Sequence, residues 1–155
     1  MVDTNRLSRR RALALSGSAL SVTVAGCTGS DGDDDGDERQ GLDPDDWEDV
    51  DEIYLEGFTR GFYGVEPDLI TDIRNPAILL FEGREYELTW ENGDGGVHNI
   101  AIRDENRDVV GDLRTQNMRD RGETQTLEFE ATSEMHEYLC EPHPASMLGY
   151  FKVVD

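Results

Sequence analysis

The sequence predicts an all-β sandwich preceded by a disordered acidic arm. From residue 53 onward, short apolar stretches alternate with polar residues at period two. That spacing puts one face of a strand in a core and the other in water. Breaks rich in Gly, Asn and Asp separate the stretches, and no long run carries the helical apolar stripe. Several short strands with turns between them describe a sandwich, and about a hundred residues suffice for one core.

Taken in order, Ile53-Tyr54-Leu55-Glu56 is a short strand. Residues 57–76, with Gly57, Gly61, Gly64, Pro67 and Pro76, give no regular pattern beyond one helical turn near Pro67-Asp68-Leu69-Ile70. Ala77 to Phe81 is an apolar strand after Pro76. Glu85 to Glu91 alternates, so Tyr86, Leu88 and Trp90 should face the core. Asn92-Gly93-Asp94-Gly95-Gly96 reads as a loop, and Val97 to Ile102 as the strand leaving it. Thr124 to Phe129 and Glu137 to Cys140 alternate again, and Tyr150 to Val154 closes the sheet.

The chemistry concentrates near the end of the chain. His98, Cys140, His143 and Met147 supply two imidazoles, a thiolate and a thioether. This is the donor set of a blue-copper electron-transfer centre, in which His₂Cys forms a plane and Met sits weakly on the axis. Three donors come from one short loop, and His98 pins that loop to a separate segment. Taken singly, a cysteine on a core strand is usually a small buried hydrophobe and a methionine is packing. Taken together, two of the chain's three histidines and its only cysteine beyond the N-terminal region fall into one pattern. His136 lies four residues before Cys140; strand alternation puts it on the face of Tyr138 and Cys140, too far along to be a ligand.

Gly96-Val97-His98-Asn99, Tyr138-Leu139-Cys140, the Cys-x2-His-x3-Met loop and Gly149-Tyr150-Phe151-Lys152-Val153-Val154 resemble the cupredoxin family. The likeness is nearest to the halocyanin-like and plastocyanin-like proteins of halophilic archaea. The resemblance implies a Greek-key sandwich over residues 53–155, with His98, Cys140, His143 and Met147 holding one copper ion. It also implies that Asn99 ties the two ligand segments together, its backbone N–H reaching the Cys140 sulfur. Pro142 has no N–H to give that sulfur as a second donor, which should hold the reduction potential down.

The N-terminal region sets the location. Ser8-Arg9-Arg10-Arg11 precedes an apolar run from Ala12 to Val24 that ends at Ala25-Gly26-Cys27. Basic start, short apolar core and small residues have the layout of a cleaved export signal, and the paired arginines that of the twin-arginine route. Residues 1–26 are therefore expected to be a twin-arginine lipoprotein signal peptide, with Cys27 lipidated. Residues 27–52 would be an acidic, disordered linker: between residues 28 and 52 stand thirteen Asp or Glu and little that is apolar except Leu42, Trp47 and Val50. One cysteine to lipid and one to copper leaves none over.

The chain carries a net charge of −21, and without residues 1–26 about −24, with 10 basic against 34 acidic side chains. Such a surface excludes nucleic acid as a ligand. Thirteen Arg against one Lys, in so acidic a chain, reads as halophilic. Catalysis is argued against by count: three histidines are too few for a multicopper oxidase, and no hydrolase or phosphate-binding motif is present. The expectation is a monomeric one-electron carrier, lipid-anchored on the outer face of the cell membrane, docking transiently with membrane redox complexes. The alternative is a surface-tethered copper binder for storage or delivery.

Overall fold

The computed structural model describes residues 42–155. The expected signal segment 1–26, Cys27 and the arm as far as residue 41 lie outside the described residues.

Among those residues, nine strands form two sheets. The first contains β1 (Glu52–Phe58), β2 (Gly61–Glu66), β4 (Glu85–Asn92) and β7 (Thr124–Glu130), in the order β2-β1-β4-β7. The second contains β3 (Ile78–Phe81), β5 (Ala101–Arg103), β6 (Val109–Arg114), β8 (Glu137–Leu139) and β9 (Leu148–Val154), in the order β3-β9-β8-β5-β6. Both are mixed: β1 runs parallel to β4 and β3 parallel to β9, while the other pairings are antiparallel. A 3₁₀ turn, Asp68–Ile70, falls where a helical turn was expected.

The period-two stretches behave as their alternation requires. Tyr86, Leu88 and Trp90 of β4 are buried, as are Leu127 and Phe129 of β7 and Ile53 and Leu55 of β1. From the other sheet, Ile78, Leu80, Ile102, Tyr138 and Phe151 complete the core. Each fully buried aliphatic or aromatic side chain contributes roughly 1.5–3 kcal/mol relative to exposure. Phe62 meets the Trp90 ring edge-on and the Tyr138 ring at a tilt.

Several expectations are corrected. The acidic linker does not extend to residue 52: α1 (Pro44–Trp47) is a helical turn capped by Asp43, whose carboxylate accepts from the Asp45 N–H at 3.2 Å. Trp47 is wholly buried in the core. One Trp removes roughly 150–250 Å² from water, a large gain for so polar a stretch. Arg84 donates to the Glu48 carbonyl, and the Glu87 N–H to the Asp51 carbonyl at 2.9 Å, so the segment is strapped over the β3–β4 turn.

The strand expected at residues 97–102 is short. Only Ala101–Arg103 belongs to the sheet, and His98 sits instead in an isolated two-bond bridge to Met118. Residues 61–66 and 109–114 are strands that gave no alternation. In β2 a glycine is needed where the chain passes Ile70: a Cβ on Gly64 would lie 2.1 Å from the Ile70 carbonyl oxygen. The strand ending at Cys140 does not alternate either, because β8 lies inside its sheet with all three residues covered, Glu137 beneath the guanidinium of Arg103. His136, finally, is exposed and meets the edge of the Tyr150 ring at 5.9 Å, not on the buried face of Tyr138.

Candidate metal centre

The first ligand segment is organised by a buried amide. Asn92, the last residue of β4, donates to the carbonyls of Gly96 (2.9 Å) and Met118 (3.3 Å) and accepts from the Gly95 N–H at 2.8 Å. That folds residues 93–97 into a tight loop and delivers His98 to its bridge with Met118. The His98 ring is fully buried, and its Nε2 lies 2.8 Å from Asp94 Oδ1. A carboxylate only accepts, so Nε2 carries the hydrogen and Nδ1 presents its lone pair. Nδ1 points at the Cys140 sulfur, 3.7 Å away.

The second segment follows β8 directly. Cys140 N–H donates to the Met147 carbonyl at 2.9 Å, and the N–H groups of His143, Ser146 and Met147 turn back onto carbonyls within the same loop. The loop therefore closes on itself before entering β9. His143 Nδ1 comes within 3.6 Å of the Cys140 sulfur. Outside bonds hold the loop in place: Ser146 Oγ donates to the Thr59 carbonyl at 2.6 Å, Asn75 Nδ2 to the Ser146 carbonyl at 2.9 Å, and Asn99 and Glu141 bond to each other.

His98, Cys140 and His143 thus offer three donor atoms within 4.8 Å of one another. First-row metal bonds of about 2.0 Å to nitrogen and 2.3 Å to sulfur, about 120° apart, would place each nitrogen about 3.7 Å from the sulfur. The observed nitrogen–sulfur separations of 3.6 and 3.7 Å match a three-coordinate plane. Met147 is fully buried and bonds through its backbone to both Cys140 and His143.

Burial pushes the Cys140 thiol up from its ordinary pKa, while the N–H groups of Asn99 and His143 pull it down. A bound cation would complete the deprotonation, since the thiolate is the form that binds metal. The His143 N–H donates to the Cys140 carbonyl at 3.0 Å.

Burial raises the Asp94 carboxyl, but hydrogen bonds from the Thr59 and Gly96 N–H groups, the His98 ring and the Thr59 hydroxyl outweigh it and hold its pKa well below the usual range. Asp94, Thr59 and Ser146 went unnoticed in the sequence. An Asp among four glycines and asparagines reads as turn punctuation, and nothing in the pattern points from Thr59 to a residue 87 positions later.

Residues 81–154 match the family of copper binding proteins described as plastocyanin/azurin. Over that stretch the chain is similar to the cupredoxins. The fold agrees with that of the reduced auracyanin from the photosynthetic bacterium Roseiflexus castenholzii. That match has 16% identity and a TM-score of 0.51, over 68% of this chain and 98% of the other. It also agrees with a rusticyanin carrying a Met-to-Leu substitution, at 15% identity and a TM-score of 0.52, over 66% of this chain and 76% of the other. Comparison with curated proteins gives no sequence match. Copper is the ion that family binds, and His98, Cys140 and His143 are placed to hold it here.

Proposed function

We propose that the protein is a blue-copper electron carrier in which His98, Cys140, His143 and Met147 would hold the ion. The observation that carries this reading is the convergence of His98 Nδ1, His143 Nδ1 and Cys140 Sγ at the spacing of a three-coordinate plane. A copper ion held there supplies one-electron chemistry by alternating between Cu(I) and Cu(II). The residues do the rest. Two imidazoles and a thiolate would bind the ion, and the doubly anchored loop limits how far these side chains can rearrange. His98, Cys140 and Met147 are fully buried, so water is kept from three of the four ligands. His143 alone is partly exposed, between exposed Pro142, Pro144 and Ala145. Its ring edge is the route by which a transiently docked partner would exchange an electron, through the small interface typical of redox encounters.

In the same reading, Cys27 carries the lipid, and the acidic segment tethers the domain to the outer face of the membrane. There it would serve membrane redox complexes as a monomer without catalytic activity of its own. The test is the visible absorption of the full chain with Cu(II) in molar salt. An intense thiolate-to-copper band that disappears in Cys140→Ser is expected. A colourless protein that binds Cu(I) tightly would replace electron transfer by copper storage or delivery, and no copper binding would sink both.

A further inference from the structure

Resting on the copper reading above, we propose that Asp94 is a charged positioning residue of the metal centre. It fixes His98 with Nδ1 toward the copper and, as an anion behind the ring, favours Cu(II) over Cu(I). A buried imidazole N–H needs an acceptor, and any main-chain carbonyl would satisfy it. Here the acceptor is a full negative charge, Asp94 Oδ1 at 2.8 Å from His98 Nε2.

The carboxylate is held as firmly as a ligand. Oδ1 also accepts the Gly96 N–H at 2.8 Å, and Oδ2 accepts the Thr59 N–H at 2.7 Å and the Thr59 hydroxyl at 2.8 Å. The space it occupies depends on a glycine. A Cβ on Gly96 would lie 2.7 Å from His98 Nε2 and 3.0 Å from Asp94 Oδ1, where atoms must shift. The chain of contacts runs on: the Thr59 carbonyl accepts the Ser146 hydroxyl of the other ligand segment. Asp94 therefore joins His98 to the loop of Cys140 and His143 by way of the β1–β2 turn.

Two consequences follow. Orientation comes from the hydrogen bond itself, since a ring donating from Nε2 has only Nδ1 left for a metal. Charge discrimination comes from Coulomb's law: a fixed anion stabilises a doubly charged ion more than a singly charged one. The Asp94 side chain is 30% exposed, so solvent weakens this effect without removing it.

The variant that separates charge from shape is Asp94→Asn in the full chain. Its side-chain oxygen can still accept from His98. At a fixed ambient potential the Cu(I)/Cu(II) ratio should rise about tenfold, equivalent to about 59 mV for one electron. Cu(II) affinity should fall roughly 10–100-fold, more than Cu(I) affinity, while the thiolate-to-copper band persists. Thr59→Val keeps the charge and loosens the loop, and its potential should stay near that of the wild type. Equal shifts in both variants would reduce Asp94 to a loop pin and overturn the proposal, as would an Asp94→Asn protein with the parent potential. In the copper-free wild type, nitrogen NMR should find His98 protonated at Nε2; protonation at Nδ1 would overturn it even if no variant folded. A wild-type protein lacking the band would instead defeat the copper reading, an outcome the NMR measurement does not depend on.

Discussion

Asn99 and Glu141 bond to each other twice, the Glu141 N–H donating to Asn99 Oδ1 at 2.9 Å and Asn99 Nδ2 to Glu141 Oε2 at 2.6 Å. Each follows a ligand directly, His98 in one case and Cys140 in the other, so the pair sets the spacing of two segments at the ends of β5 and β8, neighbours in one sheet.

Asn99 is 2% exposed, and removing its amide would leave the Glu141 N–H without its acceptor at a half-buried position. Asn99→Ala should therefore cost the copper-free protein about 1–3 kcal/mol, read from denaturant unfolding in molar salt. Glu141→Gln should cost less, because the Glu141 side chain is 40% exposed and glutamine keeps an acceptor oxygen. A larger loss in Glu141→Gln would reverse the roles assigned to the two residues.

Met147 is a second point of measurement. It is fully buried, and its backbone N–H and carbonyl bond to His143 and Cys140. Met147→Leu conserves volume and should cost less than about 1.5 kcal/mol of folding stability. With the thioether gone, the thiolate-to-copper band should persist while the potential rises, since the axial donor tunes it. An unchanged potential would show that Met147 packs beside the copper without bonding it.

The parts legible in the sequence were those whose side chains obey one local rule. β4 and β7 each have one face buried and one in water, so Tyr86, Leu88, Trp90, Leu127 and Phe129 announce them. The donor set was legible because its residue types are rare in this chain. β2 was hidden by Gly61 and Gly64, which the close passage of Arg74 and Ile70 requires and which carry no side chain to alternate. β6 was hidden as a sheet edge with no buried residue. Trp47 was discounted because its neighbours are acidic, although its own burial outweighs their preference for water. Asp94 could not be seen because its meaning lies in where a glycine-rich loop turns.

A buried ion pair makes a sharper stability test. Glu137 is 6% exposed and accepts from Arg103 Nε at 2.8 Å, and the Arg103 carbonyl takes the His136 N–H at 2.9 Å. Glu137→Ala would leave the guanidinium without its partner and should cost about 3 kcal/mol. The double replacement Glu137→Leu with Arg103→Met should recover most of that loss, because two apolar side chains need no partner. Both follow from denaturant titration. A double variant no better than the single would place the energy in shape rather than charge.

Two groups give the copper-free protein opposite pH limits. Asp94 has a folded pKa held below its unfolded value, so its contribution is complete above about pH 4. It is lost as pH falls toward the folded value. Tyr54 goes the other way: burial, and then its hydrogen bond to the Glu91 carboxylate at 2.7 Å, push it up to about 12. Its contribution is complete below about pH 10 and is lost as pH rises from there toward 12. Unfolding curves across this range should fall at both ends. Asp94→Asn should lessen the acid loss and Tyr54→Phe the alkaline one; curves unchanged by either substitution would assign the limits to other groups.

The exposed face of the first sheet opposes like charges. Glu52 stands across from Glu87, and Glu87 from Glu128; Glu85 faces Glu130, and Glu56 faces Glu91. No Lys or Arg sits opposite any of them in these registers. Directly opposed like charges destabilise a sheet by roughly 0.2–1 kcal/mol per pair. Glu87 takes part in two such pairs, so Glu87→Gln should gain roughly 0.5–2 kcal/mol at 0.1 M salt, where the Debye length is about 10 Å. In molar salt the length falls to about 3 Å, and the gain should vanish. Melting curves of the wild type and Glu87→Gln at the two salt concentrations decide it. A gain that survives molar salt would come from strand preference, and the acidic face would then owe nothing to screening.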